Sequence, residues 1–182
     1  MKIHSKVIIA LSSIVLFSNT LLSEGLTLQS QDMNGQMSIN QVFNGFGCTG
    51  KNISPQLSWT NAPKGTKSFA ITMYDPDAPT GSGWWHWLVF DMPSDTKEIS
   101  TNASALNTLP KGSIQGKSDY GTNTFGGACP PEGSSPHTYI TTIYALDTQS
   151  LKLTKDTSSA IVGYMLNSHT IEKSSIVTYY RR

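Results

Sequence analysis

Charge is what this sequence has least of: Asp, Glu, Lys and Arg make up 14% of its 182 residues, against roughly a quarter in ordinary soluble domains. The two signs nearly cancel, at a formal net +1. No basic run interleaved with aromatics occurs, so nothing offers a nucleic-acid backbone the cationic stripe it requires. Long apolar runs are missing too. Residues 7–17 hold eleven apolar or small residues, too few for a membrane-spanning helix of about 20. No composition shift, internal repeat or low-complexity segment marks a second domain. Against these absences stand 15 glycines and 9 prolines, with abundant Ser and Thr. That mixture predicts a β-rich domain with long loops rather than a helical bundle. A mature chain of roughly 160 residues buries about 70% of its unfolded surface, enough for a real core.

The short apolar run has a particular setting. Lys2, His4 and Lys6 precede it, and Ser18, Asn19 and Thr20 follow. A positive start, a short apolar stretch and small residues beyond predict a secretory signal peptide over 1–23, cleaved after Thr20 or Ser23, ahead of one domain over 24–182. No lipobox cysteine follows, which argues against a lipid anchor. Only Cys48 and Cys129 occur, and an even count in an exported chain predicts one disulfide between them.

Along the chain, 26–36 is expected to form an edge strand and turn, and 42–50 a glycine-broken loop. Leu57, Ser58 and Trp59 form a short strand. Residues 68–74 and 84–92 are apolar enough for buried central strands, stopped by Asp75-Pro76 and by Pro93. Residues 94–114 lack periodicity and are expected to be mostly loop, with 94–107 an exposed candidate for partner contact. Residues 116–135 form a long glycine- and proline-rich loop, of a length that is usually functional or disordered. A third buried strand covers 138–146 and a closing one 176–180. In between, 157–168 is the best helix, with Ala160, Ile161, Tyr164, Met165 and Ser168 on one face. The predicted class is therefore mainly all-β, an antiparallel two-sheet sandwich with one short C-terminal helix.

Three groups carry candidate chemistry, and each stands where a strand meets a loop. Asp75 and Asp77 close the first central strand, His86 opens the second, and His137 and Tyr139 open the third. If those ends meet, two imidazoles and two carboxylates converge beside tryptophans in a small polar pocket with an apolar wall. Other chemistries read less well. Two histidines and a carboxylate are the ingredients of a metal triad, but the spacing matches no metal motif. Ser82 lacks the Gly-x-Ser-x-Gly frame of a nucleophile elbow. A Cys129 nucleophile is removed by the expected disulfide. Asp75 and Asp77, two apart, share a face instead of flanking a sugar bond.

Asp75-Pro76-Asp77-Ala78-Pro79, the run from Gly83 through Trp84, Trp85, His86 and Trp87 to Val89, and Cys129-Pro130-Pro131 followed by Pro136, His137 and Tyr139 resemble the signature of the phosphatidylethanolamine-binding protein family. The likeness is nearest to its bacterial Raf-kinase-inhibitor-like branch and runs in order from about Leu26 to the C-terminus. The resemblance implies two antiparallel sheets with a small anion-binding cavity at one end. Asp75, His86, Pro131, His137 and Tyr139 are then the ligand-binding positions, with Asp77, Pro79 and Trp85 shaping the pocket. It implies no catalytic residue, no cofactor and no metal. The ligand would be a small anion such as phosphate or phosphorylethanolamine, bound by a periplasmic or secreted protein, with homodimers as in the bacterial branch. The alternative is an exported interaction protein, since family members elsewhere inhibit kinases or a serine carboxypeptidase. Histidines that hold the anion in charged form would release it as pH rises.

Overall fold

A computed structural model describes residues 25–182; the signal peptide expected over 1–23 lies outside them. In chain order the elements are β1 (Thr27–Gln29), β2 (Asn44–Gly45), β3 (Cys48–Thr49), β4 (Leu57–Thr60), β5 (Ser68–Asp75), β6 (Trp84–Pro93), β7 (Glu98–Ile99), α1 (Ala103–Leu106), β8 (Ile114–Gln115), β9 (His137–Leu146), α2 (Ser159–His169) and β10 (Thr170–Tyr180). A five-stranded antiparallel sheet in the order β10-β9-β5-β6-β8 faces a three-stranded sheet, β1-β4-β7, and β2 and β3 form a small separate ribbon. The architecture is mainly β, as the composition predicts, with a third small sheet and a second short helix added.

β5 is the centre. Its neighbours on either side are β6 and β9, and seven of its eight residues are buried. A strand covered on both faces has no reason to alternate polar and apolar residues, which is why it reads as an unbroken apolar run. Phe69, Ile71 and Met73 face the small sheet, meeting Leu28, Leu57 and Trp59 together with Tyr139, Ile143 and Ala145 of β9. Ala70 faces the other way, into a second core with Leu88 and Phe90 of β6, Leu146, Leu151 and the helix residues Val162 and Leu166.

Two irregularities in β6 matter. Ile71 pairs Val89 while Phe69 pairs Met92, so β6 carries an extra residue near Asp91, whose φ is +58°. The Asp91 carboxylate there accepts from Leu151 N–H and Ser150 Oγ, fixing the loop that follows β9. The second bulge lies at His86: Met73 pairs Trp87, and Tyr74 pairs Trp85. A bulge re-aims side chains locally, and this one puts His86 on the same side as Trp87.

Three expectations are corrected. Most of the expected helix face is exposed: Ile161 and Tyr164 are in solvent, Met165 is half-buried against the second core, and Ser159, Val162 and Leu166 are the buried residues. Two apolar stripes compete in that sequence, and the buried one is the stripe that meets Leu88, Phe90 and Leu146. The closing strand begins at Thr170, six residues earlier than expected. Its first half is polar because Glu172 and Ser174 accept from Leu26 N–H and Leu28 N–H of the β1 segment. The segment 94–114 is mostly loop, as expected, around β7, α1 and the start of β8, but the stretch 94–107 is not wholly exposed, since Ile99, Ala103 and Ser104 are buried.

Candidate functional site

The end of β5 and the beginnings of β6 and β9 lie at one edge of the five-stranded sheet, because both neighbours run antiparallel to β5. Asp75 follows Met73 on the sandwich side, Tyr139 precedes Ile143 on that side, and the bulge turns His86 the same way. These residues line a cavity of about 160 Å³ together with Phe46, Ala78, Pro79, Thr80, Trp84, Tyr120, Cys129, Pro130, Pro131 and His137. The cavity thus draws on three strands and three loops.

Its polar floor is tightly arranged. His137 Nδ1–H donates to Asp75 Oδ2 at 2.7 Å, with both residues buried. The other carboxylate oxygen of Asp75 accepts from Asp77 N–H at 2.8 Å. Asp77 Oδ2 accepts from Thr138 N–H at 2.7 Å and so ties this loop to the start of β9; that bond holds its carboxyl below the usual aspartate range. His86 Nδ1 lies 2.8 Å from Gly126 O and 3.1 Å from Gly127 O. Both are carbonyl acceptors, so Nδ1 carries the hydrogen and Nε2 is left as the remaining polar atom. The two glycines have to be glycines: a Cβ on Gly126 would sit 2.2 Å from the Tyr120 ring, and one on Gly127 2.1 Å from Gln41 O.

Electrostatics sharpen the picture. Burial pushes the His86 pKa below 6.5, and the Gly126 bond with the charges of Asp75 and Asp119 only partly offset it. His86 is therefore neutral near pH 7, with a bare lone pair on Nε2. Burial likewise pushes the Tyr139 and Tyr120 hydroxyls up, so both stay phenols. Tyr120 OH donates to Gly127 O at 2.8 Å. Three buried polar atoms on residues of the lining have no hydrogen-bond partner among the described residues: His86 Nε2, Tyr139 OH and Trp84 Nε1. Because His86 is buried neutral, the unfolded chain takes up its proton first on acidification. Its contribution to the ligand-free fold is complete above pH 6.5 and declines as pH falls below that value.

Of the residues singled out in the sequence, Asp75, His86, Pro79, Pro131, His137 and Tyr139 come together around the cavity. Asp77 braces it from behind through Thr138. Trp85 does not reach it. Its ring packs on Tyr74 at 4.7 Å and lies beneath Gly163 of α2, on the opposite face of the sheet. Trp84 lines the cavity instead. It stands two residues before His86, the spacing that keeps side chains on one face of a strand, so the signal was present. Tyr120 and Phe46 come from loops without periodicity and had no signal. Cys48 and Cys129 form the expected disulfide, with Cα atoms 5.9 Å apart, and it joins the β2–β3 ribbon to the cavity rim.

Comparison with known proteins agrees with this fold. The family model for phosphatidylethanolamine-binding protein matches residues 29–181. The UPF0098 protein YbcL of Escherichia coli is 48% identical over 147 residues, covering 80% of each chain. YbhB of the same organism is 45% identical over 140 residues, 76% of this chain and 88% of its own. The crystal structure of E. coli YbcL, described as a new member of the mammalian PEBP family, superimposes with a TM-score of 0.85 at 44% identity, over 87% of this chain and 99% of that one. A PEBP homologue from Chlamydia trachomatis, 23% identical, shares the fold with a TM-score of 0.72 over 87% of this chain and 98% of its own. With a matched family model spanning the domain and relatives of this identity, the chain belongs to the phosphatidylethanolamine-binding protein family, in the branch that contains YbcL and YbhB.

Proposed function

We propose that this is an exported, non-catalytic protein that binds a small anion, a phosphate or phosphate monoester of the phospholipid-headgroup type, at the floor of the cavity. The observation that carries the reading is that three residues of the lining hold buried atoms without a partner among the described residues, His86 Nε2, Tyr139 OH and Trp84 Nε1. Buried polar groups cost free energy unless they are paired. A phenol and an indole N–H can both donate to an oxyanion. His86 joins them once Nε2 takes a proton, either from solvent or from the anion's own P–OH. Asp75 contributes by fixing the His137 ring through Nδ1, so that its Nε2 is the atom left for a ligand.

Catalysis lacks an activated nucleophile in this lining. Cys129 is held in the disulfide, the Thr80 hydroxyl donates to Gly83 O, and Tyr139 stays protonated. Export is supported by the disulfide, a bond that persists in oxidising compartments, together with the leader expected over 1–23.

Isothermal titration calorimetry with inorganic phosphate tests the reading. His86→Ala and His137→Ala are each expected to weaken binding about 10- to 100-fold, from the roughly 1.5–3 kcal/mol carried by a hydrogen bond to a charged group. Phosphorylethanolamine is expected to compete. Affinity unchanged in both variants contradicts the proposal. The same titration has a defined pH dependence. Binding must place a proton on an imidazole that is neutral in the free protein, so affinity falls as pH rises from 5 to 8. Sulfate, which does not titrate in that range, is expected to show the same trend, and a flat profile for sulfate contradicts protonation of His86.

A further inference from the structure

The mouth of the cavity differs from its floor. Phe46 and Gly47 are the central residues of the β2–β3 turn, with φ values of +52° and +83°. A turn with both central residues left-handed normally takes Asn, Asp or Gly. A bulky aromatic in that conformation is strained, and such strain clusters at ligand contacts. Phe46 is nevertheless 70% exposed and lines the cavity. Its ring lies 5.6 Å from Phe43 and 5.7 Å from Tyr120. Tyr120 continues the chain of rings inward, 5.3 Å from Trp84 and 5.6 Å from His86. The turn is anchored behind Phe46, because Cys48 is bonded to Cys129 and Cys129 lies on the same rim.

We propose that Phe46, backed by Tyr120 and Trp84, forms a second subsite that receives a flat apolar group attached to the anion, so that the protein prefers an aryl phosphate to free phosphate. This rests on the anion reading of the floor and adds the chemistry of the ligand's organic part. A cationic substituent finds no free carboxylate among the described lining residues: Asp75 is the only carboxylate there, and it is paired with His137. The Phe43 and Tyr120 rings stack on each other at 4.1 Å and 23°, which covers one face of each. A planar ring asks only for the exposed flank of Phe46 and the edge of Tyr120, and aromatic pairs gain from offset or tilted contact.

The test compares inorganic phosphate, phosphorylethanolamine and phenyl phosphate by calorimetry on the whole mature chain, with Phe46→Ala and Phe46→Tyr as variants. Phenyl phosphate is expected to bind about fivefold more tightly than phosphate, a gain that phosphorylethanolamine does not show. Phe46→Ala should bring the ratio of phenyl phosphate to phosphate affinity below about twofold, and Phe46→Tyr, which keeps the ring, should retain it. Phosphate binding without a phenyl advantage, or an advantage that survives Phe46→Ala, overturns this inference alone. Failure of all three ligands to bind overturns the anion reading and this inference with it.

Discussion

Replacing Cys48 and Cys129 together by serine is expected to lower the unfolding free energy by about 4–5 kcal/mol, the chain-entropy value for a bridge of this span. The two cysteines are 81 positions apart, so the bond closes a loop that includes β4, β5 and β6. Locally the effect should concentrate on the β2–β3 ribbon. Its strands have only two residues each and two paired positions, and a hairpin that short is not stable by itself. The links that remain include Phe43 N–H to Ala128 O, Ala128 N–H to Gln41 O and the packing of Phe43 and Phe46 on Tyr120. Urea unfolding of the double variant measures the global term, and amide exchange around Phe46 measures the local one. A loss below about 1 kcal/mol would show that the ribbon and rim are held by packing and not by the bridge.

The second large effect is expected at the floor. His137→Ala should cost about 3–5 kcal/mol, because it leaves a buried carboxylate without its partner. Asp75 is only 3% exposed, and its Oδ2 has the His137 ring as its partner. The Asp77 N–H on the other oxygen moderates the loss without removing it. Asp75→Asn introduced into the His137→Ala background should therefore recover part of the stability, since no charge is then stranded. Strong non-additivity in that cycle is the expected signature of a coupled pair. Two independent, additive losses would mean that the pair contributes by packing alone.

Much of the scaffold could be read from residue patterns, for reasons visible in the packing. β5, β6 and β9 are apolar because both of their faces are covered, and Asp75-Pro76 and Pro93 mark where two of them stop. Those same stops locate the site, since Asp75, His86 and His137 stand at strand ends that antiparallel pairing brings together. Other features have causes that lie elsewhere in the chain. The polar start of β10 makes sense only beside the β1 segment, which supplies the N–H groups that Glu172 and Ser174 accept from. The bulge at His86 turns that ring to the same side as Trp87, and no local signal in the sequence announces it. Tyr120 reaches the site because Gly126 lets the chain pass against its ring, a contact fixed by the tertiary structure.

The central claim is that His86 Nε2, neutral and unpartnered in the free protein, becomes a hydrogen-bond donor to a bound anion. Nitrogen-15 NMR of the histidine rings, recorded at pH 7 before and after saturation with phosphate, observes that atom directly. The account predicts that His86 Nε2 moves from the unprotonated to the protonated range while Nδ1, held by Gly126 and Gly127, keeps its hydrogen throughout. An Nε2 resonance that stays unprotonated and unshifted at saturating phosphate would contradict it.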